Sequence, residues 1–366
     1  MSRAVELALR GRDRTAPNPC VGAVMVLDGH IVAEGYHRYC GGLHAERECI
    51  ADARSKGVNM TECTMFVTLE PCNHYGKTPP CTEGILEAGI KHIVVGTRDP
   101  NPKAAGGLEY LQSKGVKVES GVLEEQCRDL ISDFLCWQFS ERPYSILKLA
   151  CTIDGRIAGA TGEQEAVSCP ESFADVQHLR SIAGAVIVGG NTLREDNPSL
   201  TCRLDPLPEG YVQPKAVVVT NSLPEEPDGF TLTSARAAET IFWTNETEAA
   251  TKTASELKNR GIEIVPLPEG EKGLILEPGF TMLRKKHGVL RTLCEGGGRL
   301  ALSLIEQGLV DEFVMYQAPR ILGNVLGRPN FAGSDRKLIR DATEMRISRV
   351  QQSGRDLKIV FKPEGQ

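Results

Sequence analysis

His44-Ala45-Glu46 and, further along, Glu70-Pro71-Cys72-Asn73-His74-Tyr75-Gly76-Lys77-Thr78-Pro79-Pro80-Cys81 form the stretch around which the chain is organised. One imidazole, two thiols and a carboxylate beside the imidazole are the parts of a hydrolytic zinc centre. Three N/S ligands leave a fourth position open for water, which separates a catalytic zinc from a closed structural one. Zinc lowers the pKa of that water towards neutrality. Glu46 suits a proton shuttle better than a fourth ligand.

Both halves of this pattern fall at strand-to-helix junctions. Ala4, Leu7 and Ala8 stand at helical spacing within 2–10. Residues 21–27 and 30–35 read as strands around the turn Asp28-Gly29. A helix is expected from 44 to about 56, where Gly57 stops it. A strand over 64–69 delivers Glu70-Pro71-Cys72, a helix follows Pro79-Pro80, 91–96 is a strand, and a helix over 123–140 closes the domain. This is the sheet edge where α/β proteins place ligands. On a regular helix His44 and Glu46 would point about 200° apart. They converge on one metal only if it lies off the helix's amino end, whose partial positive charge favours thiolate and carboxylate. H-x-E alone occurs by chance in many chains, and a lone cysteine is usually a small buried hydrophobe. The conjunction, in this order and at these junctions, carries the metal assignment.

Composition bounds the remainder. A chain of 366 residues is long for one core, so two domains are expected, 1–142 and 143–366, with the boundary near Glu141-Arg142-Pro143. The formal charge is −6 with no basic block, which argues against a nucleic-acid partner. No run reaches the length of a membrane span, and the N-terminus lacks a signal peptide's apolar segment. The cytoplasm is therefore the expected compartment, and the 12 cysteines are expected to be reduced, three of them spent on metal.

The second half opens with an apolar strand over 144–151 bearing Lys148. Ser168-Cys169-Pro170-Glu171 has capping-box spacing and should start a helix running to about 182. Strands over 185–188, 215–220, 240–244 and 289–294 follow, the last feeding Glu295-Gly296-Gly297-Gly298 and a helix through 307. Three glycines between strand and helix let backbone N–H groups face an anion, although a tight turn reads equally well from the residues alone.

PNPCVGAV at 17–24, HAE at 44–46 and TLEPCNHYGKTPPC at 68–81 resemble the deaminase domain of the bifunctional riboflavin-biosynthesis deaminase–reductase family. Zinc deaminases in general carry H-x-E and P-C-x-x-C. Here eight residues separate Cys72 from Cys81, as in this family. The resemblance implies His44, Cys72 and Cys81 as ligands of one zinc and Glu46 as proton shuttle. It also implies that Asn18, His37 and Lys77 hold the pyrimidine and its ribose phosphate. On the residues alone Asn18 is a turn residue between prolines, and His37 and Lys77 are solvated loop.

KLACTIDGRIA at 148–158, DVQHLR at 175–180, GGNTLREDNPSLT at 189–201 and EGGGRLALSLIEQGLVDE at 295–312 are similar to the reductase domain of the same family. The resemblance thus spans residues 1–362. It implies a cytidine-deaminase-like three-layer α/β/α domain followed by a dihydrofolate-reductase-like α/β domain. Ala150, Thr192, Asp196, Ser222, Gly296, Gly297 and Gly298 would line an NADPH site. Arg180, Leu200, Arg203 and Glu295 would hold a small phosphorylated pyrimidine, with Asp196 orienting groups or moving protons during reduction. Many relatives carry Gly-Glu-Ser-x-Trp where this chain has Gly162-Glu163-Gln164-Glu165-Ala166, which places Gln164 and Ala166 in doubt as ligand contacts.

The implied reactions are zinc-dependent deamination of 2,5-diamino-6-ribosylamino-4(3H)-pyrimidinone 5′-phosphate and NADPH-dependent reduction of its ribosyl group to ribityl. A homo-oligomer is expected. Two alternatives differ in class. A tRNA-type adenosine deaminase is disfavoured by the acidic balance and the second domain. A zinc-stabilised scaffold without turnover is disfavoured by the presence of Glu46.

Overall fold

The computed structural model describes residues 1–364 except 76–78, 102, 103, 162, 164 and 208, so Lys77 and Gln164 lie outside the described residues. It divides into two compact units, Met1–Ser140 and Glu141–Gln366.

The first unit runs α1 (Ser2–Leu9), β1 (Gly22–Leu27), β2 (His30–Tyr36), α2 (Ala45–Ser55), β3 (Thr64–Leu69), α3 (Cys81–Glu87), β4 (His92–Thr97), α4 (Gly107–Ser113), β5 (Lys117–Ser120), α5 (Glu124–Leu130) and α6 (Ser132–Phe139). Its sheet has the order β2-β1-β3-β4-β5. β1 is antiparallel to β2 and β3, while β3, β4 and β5 are parallel. The hairpin turns through Asp28 and Gly29, both at positive φ, as a two-residue loop between twisted strands favours.

Alternation along β1 makes the layers. Val24 packs with Ala4 and Leu7 of α1, while Ala23 and Met25 join Cys49 and Ile50 of α2 in the larger core. Backbone approach is close on both faces. A Cβ on Gly22 would lie 2.0 Å from the Ala4 carbonyl oxygen, and one on Gly35 would lie 2.3 Å from the Cys49 nitrogen. The single helix expected over 123–140 is two, broken at Ile131. There the Ser132 hydroxyl donates to the Asp129 carbonyl, a local bond that competes with helix continuation.

The second unit runs β6 (Tyr144–Cys151), β7 (Arg156–Ala158), α7 (Pro170–Ile182), β8 (Ala185–Gly189), α8 (Gly190–Asp196), β9 (Lys215–Val219), β10 (Thr240–Asn245), α9 (Glu246–Ala249), α10 (Lys252–Asn259), β11 (Glu263–Leu267), β12 (Glu269–Gly270), β13 (Gly273–Leu274), α11 (Glu277–His287), β14 (Arg291–Cys294), α12 (Gly298–Glu306), β15 (Glu312–Gln317), β16 (Arg328–Pro329), β17 (Met345–Ser353) and β18 (Asp356–Pro363). Nine strands form one sheet in the order β11-β10-β9-β8-β14-β6-β15-β18-β17. It is parallel from β11 to β15 and closes with antiparallel β18 and β17. Trp243, Phe280, Leu147 and Ile187 lie in its core. Arg142 bonds Asp311 through two N–H groups at 2.6 and 2.7 Å, and the same carboxylate takes the Ser145 N–H, which pins the start of β6. Among the described residues no helix is long and apolar enough to cross a membrane.

Candidate active sites

In the first unit His44 is the residue before α2, with extended φ −71° and ψ 159°, so its imidazole leaves the helix end instead of following the helical spiral. That resolves the divergence expected between positions 44 and 46. Glu46 lies in the first turn of α2 and is 4% exposed. Cys72 follows β3, and Cys81 opens α3 after Pro79-Pro80. The ligand atoms of His44, Cys72 and Cys81 lie within 4.8 Å of one another. His44 Nδ1 is 3.6 Å from Cys72 Sγ and 3.3 Å from Cys81 Sγ. Tetrahedral zinc with ordinary Zn–N and Zn–S bonds requires such pairs at roughly 3.5 Å, so the donor set fits zinc. It is the one group of its kind among the described residues. None of the twelve cysteines is in a disulfide.

The electrostatics of the donor set favour a thiolate at Cys72. Hydrogen bonding from Cys81, then from His44, holds the Cys72 thiol down to about 4. Cys81 is pushed well up because its S–H donates to the Cys72 thiolate, reinforced by burial. Burial raises the Glu46 carboxyl above its ordinary value, reinforced by the Cys72 charge. A cavity of about 550 Å³ opens here, lined by Asn18, His37, His44, Glu46, Cys72 and Asp99 among others. The His37 Nδ1–H donates to the Leu43 carbonyl at 2.9 Å, which leaves Nε2 to accept from the Asn18 amide at 3.3 Å. Burial lowers the pKa of His37 and so favours this neutral tautomer.

Two groups here, the buried Glu70 and the half-buried Asp99, gave no signal in the sequence. Glu70 accepts N–H bonds from Asp99, Gly106, Gly107 and Leu108 at 2.9–3.3 Å. It thereby ties the 99–107 loop and the start of α4 to the strand end that delivers Cys72. Asp99 lines the cavity, and burial raises its pKa. A carboxylate's role as loop clamp depends on partners some 30 residues away, which spacing does not reveal.

In the second unit a cavity of about 610 Å³ lies between the carboxyl ends of β8 and β14. Thr192, Gly297 and Gly298 line it, together with Arg194, Arg299 and Lys272. A Cβ on Gly298 would press to 2.8 Å on the Asn330 carbonyl, while Gly297 has open space where a Cβ would stand. The backbone at the start of α12 is thus bare towards a cavity rimmed by cations, a fit for the phosphates of a dinucleotide. Gly296 packs on Leu300. Ala150 lies opposite Tyr316 on the neighbouring strand. Asp196 is exposed at the last residue of α8, and Ser222 is exposed with its carbonyl accepting from Thr220 and Arg194.

Arg180 and Glu295 form a buried pair with two bonds at 2.6 and 3.0 Å, and Arg180 also donates to the Thr201 carbonyl at 2.9 Å. The Ser199 carbonyl is held by Arg236, so the loop is gripped on both sides of Leu200, which is buried at φ +52°. Non-glycine residues in that region are strained and concentrate at functional sites. Arg203 is exposed, joined to α7 only through its backbone N–H on Gln177. Ala166 contributes its carbonyl to Arg320. Next to Glu295 stands Lys148, whose pKa is lowered by burial against the pull of Glu295.

The comparisons with known proteins agree with this geometry. Residues 1–97 match the cytidine and deoxycytidylate deaminase zinc-binding region, and residues 143–359 match the RibD C-terminal domain. The chain is 37% identical to riboflavin biosynthesis protein RibD of Aquifex aeolicus, over 99% of this chain and 97% of that one. The chain belongs to the RibD family. RibD of Acinetobacter baumannii superposes with a TM-score of 0.72 at 32% identity, over 99% of this chain and 97% of the other. A Thermotoga maritima structure, described as a diaminohydroxyphosphoribosylaminopyrimidine deaminase and 5-amino-6-(5-phosphoribosylamino)uracil reductase, gives 0.73 at 35% identity, over 99% and 97%. As a RibD protein the chain is a bifunctional deaminase and reductase of riboflavin biosynthesis, with zinc and NADPH as cofactors. The deaminase-like unit followed by the RibD reductase domain is the fold expected from the sequence.

Proposed function

We propose the following division of labour within the two reactions. The observation that carries it is the convergence of His44, Cys72 and Cys81 beside the buried carboxylate of Glu46. His44, Cys72 and Cys81 would hold zinc, which when bound makes water nucleophilic near neutral pH. Glu46 takes the proton from the attacking water and passes it to the nitrogen that leaves as ammonia. Its raised pKa suits a group that both accepts and donates. Asn18 and the Nε2 edge of His37 orient the pyrimidine, and Lys77 is assigned to the ribose phosphate.

In the second unit Thr192, Gly297 and Gly298, with Ala150, Asp196, Ser222 and Gly296 around them, are assigned to NADPH, which when bound supplies hydride for C1′ of the ribosyl group. Arg180, Leu200, Arg203 and Glu295 position the deaminated substrate. Its ring oxygen needs a proton as the C1′–O bond breaks. Lys148 is the half-buried cation here that carries dissociable protons without a carboxylate bonded to it, so we assign it to substrate contact alongside Glu295, with Asp196 the exposed alternative.

The substrate is the diaminopyrimidine ribosylamino 5′-phosphate, a small molecule; the net charge of −6 supports this over nucleic acid. Twelve cysteines, none in a disulfide, support the cytoplasm. Exposed Ile347 and Val350 on the terminal strand β17 support a homo-oligomer, which light scattering reads out. The purified protein should release ammonia from the diaminopyrimidine phosphate and then consume NADPH. Release without consumption would refute the assignment of the second unit.

A further inference from the structure

Four adjacent strands of the larger sheet carry a row of polar groups that the assigned reaction does not use in full. Lys358 on β18 stands opposite Tyr316 on β15. Tyr316 stands opposite Ala150 on β6, two residues beyond Lys148. Cys294 of β14 pairs with Leu147, which brings Glu295 alongside Lys148. α7 lies across the row and lends it Arg180, bonded to Glu295, and Asp175. The Asp175 carboxylate accepts from the Tyr316 hydroxyl at 2.5 Å and from the Lys358 ammonium through the same oxygen.

The two lysines share one ring. Lys148 Nζ lies 5.9 Å and Lys358 Nζ 5.8 Å from the Tyr316 ring centroid. Lys358 is 6% exposed and has Asp175 as counter-ion, whereas no ion pair or hydrogen bond engages the Lys148 ammonium among the described residues. Buried ammonium groups ordinarily acquire a carboxylate. The groups facing this row are Glu295 from the end of β14, Arg180 and Asp175 from α7, Lys358 from β18 and Arg349 from β17, so cations outnumber carboxylates. An excess of positive charge in a row whose Lys358 and Arg180 are buried and whose Lys148 and Arg349 are half-buried is tolerable where an anionic ligand completes it.

We propose that Asp175 is a positioning residue of the reductase site, which takes up the charge of Lys358 and fixes the Tyr316 ring so that the Lys148 ammonium stays unpaired for the substrate. This rests on the assignment of Lys148 to substrate contact. With Asp175 neutralised, the Lys358 charge acts on Lys148 uncompensated and disfavours its protonated form. With Lys358 removed, the protonated form is favoured. Opposite substitutions therefore move one titration in opposite directions, which a merely structural role would not do.

The test uses the full-length zinc-loaded protein, with kcat/KM of the reductase half-reaction followed against pH and ammonia release as the internal control. Binding of the deaminated intermediate without NADPH is measured by calorimetry over the same range. D175N should move the alkaline limb down by roughly half to one pH unit and weaken binding about three- to tenfold above that limb. K358M should move the limb up, and the double variant should return it towards wild type. Limbs that stay in place in both single variants overturn the inference. K358M alone decides the matter if D175N fails to fold. K148M separates the two levels: retained reductase activity there refutes the Lys148 assignment itself, whereas its loss beside unmoved limbs refutes only the role of Asp175.

Discussion

His44 Nδ1 lies 3.3 Å from Cys81 Sγ across 37 residues of chain, and the strand β3 with its Glu70-clamped exit makes that distance possible. A metal held there would link the starts of α2 and α3 and join two elements the sequence separates.

One zinc per chain is expected, because one ligand trio forms among the described residues. Elemental analysis of protein purified without chelator should return a ratio near one. Cys72→Ser should lose both metal and thermal stability, since metal affinity is coupled to folding. A ratio of two would reveal a second site.

Glu46→Gln should retain zinc, because the carboxylate is not among the three proposed ligands, and lose ammonia release. Acid–base groups contribute typically about 10²–10⁴-fold, and Glu46 is proposed to serve two transfers, so the loss should lie near the upper end. Normal deamination by this variant would end the assignment.

Lys148→Met should abolish reduction while leaving the melting temperature unchanged or raised. Burial lowers the folded-state pKa of Lys148. A lowered lysine pKa means the unfolded chain binds the proton more tightly, so the charged form costs stability at neutral pH. That cost fades as pH rises through the folded pKa. The stabilisation in the variant should therefore be largest at neutral pH and below, with a rise of about 2–4 °C per kcal/mol relieved in a unit of this size. Calorimetry at two pH values measures it.

Arg203→Ala and Arg180→Ala should part company. Arg203 is exposed, so alanine there should leave stability and ammonia release intact and raise KM for reduction if the guanidinium meets the phosphate. Arg180 is buried against Glu295, and its loss strands a carboxylate, which costs about 3–5 kcal/mol. Paired kinetics and denaturant unfolding separate the two. An unharmed reductase in Arg203→Ala would remove that residue from the site.

Asp356→Ala should destabilise the second unit by about 1–3 kcal/mol. Its carboxylate, 1% exposed, accepts from the Cys169 N–H at 2.7 Å and the Ser172 hydroxyl at 2.7 Å, and so caps α7 from a strand 187 residues away. Urea unfolding with ammonia release as a control for the first unit checks this. An unchanged midpoint would show that water can replace the cap.

The sequence by itself brought out the residues proposed for zinc in the first unit and the alternation of strands and helices in both. His44, Glu46, Cys72 and Cys81 are legible because zinc chemistry demands particular residue types, and each half of the motif is local. Gly297 and Gly298, which line the second cavity, are legible for a similar reason, since close backbone approach after a strand needs residues without a Cβ, whereas Gly296 packs on Leu300. What the tertiary structure decided concerns partners brought together by strand order. The capping-box spacing at Ser168 and Glu171 pointed to a local cap, yet α7 begins with Cys169 capped by no neighbouring side chain and is closed by Asp356 instead. Lys148 reads as one polar residue in an apolar strand. Only the neighbouring of β6 with β14 and β15 sets it beside Glu295 and over Tyr316, because a charge's behaviour inside a protein depends on what surrounds it in space, and hydrophobic period carries no information about which strand lies next.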